Sequence, residues 1–340
     1  MLNIVSGRIG SSLAAVFGAS IVSFLLLRVL PGDPVRLIVG LLSTEEAEEA
    51  VRERLGLNLP MWEQYWRFIT DFFTGDWGFS YSAGQPVMEQ MASRLPASLE
   101  LGFYAFLLAF LGAIVLGLYS TYRPQRVVDG AVRGLSIFGL GMPPFWLGLI
   151  LLIVFFEALD WLPGPGGRLE ITTLSPPVVT GFYTFDALIA GQFAVFWEAA
   201  RHLILPAISL GLAPFGFLVR LLRANLLDTM REPFIVVVRS KGVGLWLTHW
   251  RHALPNAFLP TLTASGLLFA QLLGGSVLVE KVFDWPGVGA LVVDSILRQD
   301  YSVVQAFIMI SAVIYVSVNF IVDILYGVVD PRVRIPKIEG

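Results

Sequence analysis

The sequence predicts an all-α, polytopic membrane protein with six transmembrane helices and both termini in the cytoplasm. Three observations carry that class. Of 340 residues, 56% are hydrophobic and only 14% are charged, whereas a soluble domain carries about a quarter charged residues. The apolar residues are gathered into long runs, and a helix crossing roughly 30 Å of hydrocarbon needs about 20 of them in succession. The basic residues between the runs are unevenly distributed, which sets the orientation.

The runs are residues 9–30, 97–121, 131–156, 203–222, 257–279 and 303–329. The first follows Arg8 as a signal peptide would, but its apolar stretch exceeds the usual length of about 7 to 15 residues. It ends in LRVLPGDP rather than in a small-residue cleavage site, so it reads as a retained anchor. With the N-terminus inside, the inner segments hold Arg8, Arg123, Arg126, Arg133, Arg220, Arg223, Arg231, Arg239, Lys241, Arg251, Arg332, Arg334 and Lys337. Most acids fall outside, and the formal net charge is −3. That is the positive-inside pattern.

Residues 1–30 then form the first transmembrane helix, 31–96 an external helical segment, and 97–340 a core of five helices. The external segment is acidic in STEEAEEAVRERLG and aromatic in MWEQYWRFITDFFTGDWGFS, which suits short helices at the outer surface. The core contains an external loop, 157–202, with LDWLPGPGG near its start and TGFYTFDALIAGQFAVFWEAARH further on. Its Trp and Tyr residues read as interfacial anchors, or as contacts for a substrate or a docking partner.

Several chemistries are excluded. The chain has no Cys, so it has no disulfide framework and no thiolate site. There is no G-x-x-x-x-G-K-[ST] phosphate cradle and no H-E-x-x-H pair. His249 and His252 are close in sequence but lack a third ligand, so they read as solvated or interfacial histidines and no metal site is expected. Nothing points to nucleic acid. Asp323 and, four residues before it on the same helical face, Asn319 are the intramembrane polar candidates. Bonding a neighbouring helix is the favoured reading for them, and lining a pathway the alternative. No chain of buried acids suggests a proton-driven carrier, and no strong internal repeat suggests inverted halves.

The most informative segment is the cytoplasmic loop 223–256, containing PFIVVVRSKGVGLWLTHWRHALPNAF. Pro233 suits a first helical turn, and Gly242 suits a left-handed C-cap. Arg239 and Lys241 then sit in the last turn, where cations favour the helix dipole. A second short helix is expected over 245–254, with Trp246, Trp250 and Ala253 on one face and Thr248, Arg251 and His252 on the other. Pro255 would mark a break before the fifth span. Two surface helices hinged at Gly242 and Gly244 could rest on anionic lipid or dock a cytoplasmic partner.

This loop resembles the EAA loop of permease subunits in bacterial ATP-binding-cassette importers. Val236, Val237 and Val238 occupy the EAA positions, Gly242 the glycine, and Leu254 with Pro255 the terminal pair. RSKG followed by RHALPNA is similar to the form found in the peptide, nickel and opine branch, which commonly lacks the Glu. LRVLPGDP, LGLNLPMWEQYWRF, GDWGFS, QPVMEQMASRLPASLEL, LLGGSVLVEKVFDWPGVGALVVDSILRQDYSVVQA and VVDPRVR extend the resemblance over nearly the whole chain. They look like the first of that branch's two permeases.

The resemblance implies the type I importer permease fold in a bacterial cytoplasmic (inner) membrane. It implies a homologous second permease, two cytoplasmic ATP-binding-cassette subunits that bind ATP and Mg, and an external binding protein that delivers dipeptides, oligopeptides or related solutes. This chain would be non-catalytic, bind no cofactor itself, and contact membrane lipid. Arg239, Ser240, Lys241, Gly242, Arg251, His252, Leu254, Pro255 and Asn256, with the three valines, would couple to the ATPases. Glu280, Phe283, Trp285, Pro286 and Gly287 would form an external gate, where an interfacial cap with a Pro-Gly turn is the plainer reading. The competing class is a stand-alone ion-coupled carrier or channel, which would transport without any ATPase. An intramembrane enzyme would need a nucleophile or metal cluster that the sequence lacks.

Overall fold

A computed structural model describes residues 2–29, 35, 44–54, 56–122 and 126–329. Its described helices are α1 (Leu2–Val29), α2 (Glu45–Arg54), α3 (Met61–Thr74), α4 (Val87–Tyr122), α5 (Arg126–Gly141), α6 (Pro144–Leu151), α7 (Tyr183–Ile189), α8 (Phe193–Thr229), α9 (Pro233–Ser240), α10 (Leu245–Leu247), α11 (Leu254–Gly275), α12 (Val277–Val282), α13 (Val288–Leu297) and α14 (Tyr301–Val329). π-helical turns at Leu152–Ala158 and Thr248–Ala253 extend α6 and join α10 to α11. A two-residue hairpin pairs β1 (Phe79–Ser80) with β2 (Gln85–Pro86). The chain divides into two compact units, Met1–Pro96 with Gly287–Val316, and Ala97–Pro286 with Ser317–Gly340.

In the first unit, α2 starts on Thr44, whose Oγ1 accepts the Ala47 N–H at 3.3 Å. Glu45, Glu46 and Glu48 lie in its first turn, where carboxylates oppose the positive end of the helix dipole. The aromatic helix α3 stops at Gly75, which has φ +89°. It leans on α1 through Tyr65, whose hydroxyl shares a 2.7 Å hydrogen bond with Ser20 and whose ring meets Phe24 edge-on at 5.2 Å. The hairpin is tied down by buried Asp300, which accepts from Ser80 Oγ at 2.6 Å and from Ser82 Oγ at 2.7 Å.

The second unit is built around α8, which packs on α5, α6, α7, α11 and α12. Helices approach closely in lipid only where side chains are small, because apolar transfer gives no drive between them there. Accordingly, α4 presents Ala97, Leu101, Ala105, Ala109 and Ala113 at four-residue spacing, all buried. A Cβ at Gly211 of α8 would stand 2.6 Å from the Ala105 carbonyl oxygen, and one at Gly216 would stand 2.9 Å from Ser136 Cα. Glycine is therefore required at both crossings.

Among the described residues, four helices are long and apolar enough to cross a membrane: Val87–Tyr122, Phe193–Thr229, Leu245–Leu272 and Tyr301–Ile321. A fifth crossing follows if the pair Val132–Gly141 and Pro144–Ala158 is one broken span. The sequence places one span over 131–156; the structure divides that run into two helices bent by 112°. The cause is local, since Met142 precedes Pro143 and a residue before proline is driven out of the α region. Within α1, Leu13–Leu25 is a shorter apolar run.

Boundaries shift as well. α4 begins at Val87 and runs through Pro96, so the helix of the second predicted span starts ten residues before 97. α8 overruns 203–222 at both ends, and α11 stops at Gly275, leaving 277–279 to α12. The LPGDP segment at 30–34, the tail 330–340 and the Asp323 side chain lie outside the described residues.

Candidate functional site

In the loop 223–256, the first helix is anchored by Ile235. Helix α9 starts with Pro233 in its first turn and ends at Lys241, after which Gly242 takes φ +80° and donates to the Arg239 carbonyl at 3.0 Å. An eight-residue helix is not stable alone, so packing must hold it. Ile235 does this, at 2% exposure, within a cluster formed by Leu118, Leu222, Leu226, Ala253 and Ala257 of α4, α8 and the run into α11.

The opposite side of α9 faces outward. Val236 is 67% and Val237 55% exposed, beside exposed Phe234, Arg239, Ser240, Lys241 and Gly242, while Val238 is half-buried. Across the Gly242 turn, Leu245, Trp246, Leu247, Trp250 and Arg251 are also exposed. Trp246 and Trp250 stack with centroids 6.5 Å apart. Pro255 and Asn256 are exposed, and His252 and Leu254 half-buried. The loop thus presents an apolar ledge fringed by cations.

Three sequence expectations fail here. Trp246 and Trp250 do not share the packed face with Ala253; Thr248 and His249 are buried with Ala253 instead. His249 is not solvated: its Nδ1 lies 2.8 Å from the Leu245 carbonyl and its ring meets Tyr122. Nor does the helix break at Pro255. Proline cannot donate to the preceding turn, and the widened π turn Thr248–Ala253, which shifts the face by one residue, absorbs the mismatch before α11.

Within α4, two adjacent positions, Ala97 and Ser98, grip the segment 276–285. The Ala97 carbonyl accepts Trp285 Nε1 at 2.8 Å. Ser98 Oγ donates to Glu280 Oε1 at 2.6 Å, and Ser276 Oγ donates to the same oxygen at 2.7 Å. Glu280, Phe283 and Trp285 are all buried, the latter two in a core with Leu101, Leu203 and Leu272. Gly287 belongs to the other unit. Asn319 is half-buried on α14.

One turn further, Glu100 is fully buried and ion-paired with Arg168 of the loop 157–202. Its Oε1 accepts the Thr184 N–H at 3.0 Å and the Thr184 hydroxyl at 2.6 Å. Arg168 also donates to the Gly181 carbonyl at 2.7 Å and lies 3.4 Å from the Tyr183 ring centroid. Three residues within one turn of this helix, Ala97, Ser98 and Glu100, therefore bind both the 276–285 segment and the loop 157–202.

Comparison with known proteins supplies the context. Residues 113–335 match the binding-protein-dependent transport system inner membrane component family, and residues 1–102 match the corresponding N-terminal membrane component. The chain belongs to this family. It is similar to the probable D,D-dipeptide transport system permease of Escherichia coli (strain K12), at 42% identity over 318 residues, 94% of this chain and 93% of that one. It is also similar to the dipeptide transport system permease of Alkalihalophilus pseudofirmus, 37% identical over 321 residues, 94% and 95% of the two chains. The oligopeptide transport system permease of Bacillus subtilis (strain 168) is 38% identical over 324 residues, 95% and 96% of the two chains.

The permease is therefore a multi-pass membrane subunit of an importer. Its sequence had pointed to the loop 223–256 and to Glu280, Phe283 and Trp285, but not to Ser98, Glu100, Arg168, Thr184 or Ser276. Glu100 carried a usable signal, being a lone acid inside the apolar run SLELGF. Arg168 carried none, since GGRLE reads as an ordinary loop.

The loop 157–202 of the permease also contains a carboxylate clasp. Asp186, at the start of α7, accepts the Val179, Thr180 and Gly181 N–H groups and the Thr180 hydroxyl. Burial alone would push its carboxyl up, but these donors outweigh that and hold it below its ordinary value of 3.8. The clasp stabilises fully above that ordinary value and fails only as pH falls through the lowered one. Hydrogen exchange at 179–186, corrected for intrinsic rate, should show equal protection at pH 8 and pH 5. Asp186→Asn should lose about tenfold of that protection at both. Loss of protection between pH 7 and pH 5 in the unmutated permease would contradict this assignment.

Proposed function

We propose that this permease forms half of the translocation pathway of an ATP-driven importer for dipeptides, oligopeptides or related small solutes in a bacterial inner membrane. A homologous second permease supplies the other half, and an external binding protein delivers the cargo. Two cytoplasmic ATPases, which hold ATP and Mg, dock on the loop 223–256. The chain crosses the membrane six times with both ends inside, binds no cofactor of its own and performs no hydrolysis.

The observation that carries this reading is the α9 ledge. Exposed valines and tryptophans on a cytoplasmic loop are costly unless something covers them, and Ile235 locks the ledge to the spans that would move. Nucleotide-driven closure of the ATPases would pull α9 and bias the spans between two arrangements. Val236 stands where the EAA pattern carries its Glu, and Val237 and Val238 where it carries Ala, so contact here would be apolar. Glu280, Phe283 and Trp285 act as a gate whose closed position is held by Ala97 and Ser98.

The test is reconstitution of the affinity-purified complex with its binding protein, screening short peptides, metal chelates and oligosaccharides for stimulated hydrolysis. Short peptides should stimulate; vesicle uptake by this chain without any ATPase would contradict the reading. Gly242→Pro probes the coupling directly, because proline cannot reach φ +80° and removes the N–H given to Arg239. The variant should insert normally yet lose about tenfold in substrate-stimulated hydrolysis. Wild-type copurification and hydrolysis would count against the coupling role.

A further inference from the structure

The external loop carries an open pocket of about 490 Å3 that the import reading leaves without a role. One wall is the strap LPGPGG, of which Leu162, Pro163, Gly164, Pro165 and Gly166 line the pocket. Pro163 and Pro165 fix φ there, and a Cβ at Gly164 would stand 2.6 Å from the Phe156 ring, so the strap lies flat on that aromatic. The opposing wall comes from the first turns of α8 and supplies Glu198, Arg201 and His202.

Hydrogen bonds hold two of the polar groups, Glu198 and Arg201, in place. Asp160 holds φ +52°, an uncommon conformation that Asp tolerates. Glu198 is fixed by the Glu170 N–H at 2.8 Å and the Thr173 hydroxyl at 2.9 Å, one on each oxygen. Each carboxylate oxygen has a second lone pair to offer. Arg201 gives one N–H to the Trp161 carbonyl at 2.9 Å, and guanidinium has five. Asp160, Glu170 and Glu198 outnumber Arg201, so the pocket favours a cation while keeping one group for an anion.

We propose that this pocket receives a short peptide from the external side, its α-ammonium held by Asp160 and Glu198 and its carboxylate by Arg201. This rests on the peptide-import reading above. A free amino terminus is the one cation shared by all peptides whatever their side chains, and Phe156, Leu162, Leu169 and Ile171 give apolar walls for variable side chains. The strap also links the pocket to the gate. Gly166 N–H points at the Phe283 carbonyl, 3.4 Å away, so the strap has a peptide on one side and the buried 280–285 segment on the other.

The experiment uses the complete complex in nanodiscs with its binding protein. The photo-probe is alanyl-p-benzoylphenylalanine, used with a free and with an N-acetylated amino terminus. Mass spectrometry should place the adduct within 156–172 or 198–202. N-acetylation should reduce it about tenfold, and Asp160→Asn, which keeps the left-handed preference, should reduce it about fivefold. Arg201→Gln should do the same without touching the Glu198 hydrogen bonds to the loop. Normal peptide-stimulated hydrolysis with adducts elsewhere, or equal labelling by the acetylated probe, would overturn the site while leaving the import reading intact. Failure of every peptide to stimulate hydrolysis would overturn both.

Discussion

Arg168→Ala should lower the unfolding temperature of the purified permease by on the order of 10 °C. The reason is Glu100, which is fully buried in α4 and has Arg168 as its ion-pair partner. Removing one member of a buried pair leaves the other charge uncompensated and costs about 3–5 kcal/mol. For a chain above about 150 residues, each kcal/mol shifts the midpoint by roughly 2–4 °C. Thr184 still donates twice to Glu100, which softens the loss without cancelling the charge. The double variant Glu100→Gln with Arg168→Met should recover much of the stability, because it removes both charges and keeps the volume. Differential scanning fluorimetry of the three proteins decides this. A single variant that melts with the wild type would show that Glu100 and Arg168 do not hold the loop 157–202.

Ile235→Asp should abolish retention of the ATPases while leaving the protein in the membrane. Ile235 is the buried member of α9, against Leu118, Leu222, Leu226, Ala253 and Ala257. A carboxylate there would be stranded among apolar groups at a cost of several kcal/mol, more than an eight-residue helix can offset. The helix would leave its seat, and the ledge with it. Val236→Asp is the informative contrast, because that side chain points away from the core. It should change stability by no more than about 0.5 kcal/mol yet weaken ATPase retention about tenfold if the ledge is the docking surface. Copurification ratios and melting curves separate the two effects. Retention of both ATPases by Ile235→Asp would show that coupling does not pass through α9.

Much of this was legible in the residues, for reasons that differ by element. The apolar runs announced helices because length and composition alone set a membrane span, and α4, α8 and α14 contain them. Pro233 and Gly242 announced the ends of α9 because each dictates a backbone angle. The bend before Pro143 was missed because hydropathy is blind to direction, although the Met-Pro-Pro triplet held the clue. The faces of 245–254 were misassigned because an ideal 3.6-residue period was applied where a π turn adds a residue to the register. Arg168 with Glu100, and Ser98 with Glu280, join positions far apart in sequence, and no local pattern encodes such a pair.

The central claim is that the exposed valines of α9 meet an ATPase. The permease has no native cysteine, so a single Val237→Cys introduces the sole thiol of this subunit. In the assembled, hydrolysing complex, a short maleimide photo-crosslinker on that thiol should join this chain to an ATPase subunit, and added ATP should change the yield. A complex that hydrolyses ATP in response to loaded binding protein, yet gives cross-links only to lipid or to the second permease, would contradict the claim.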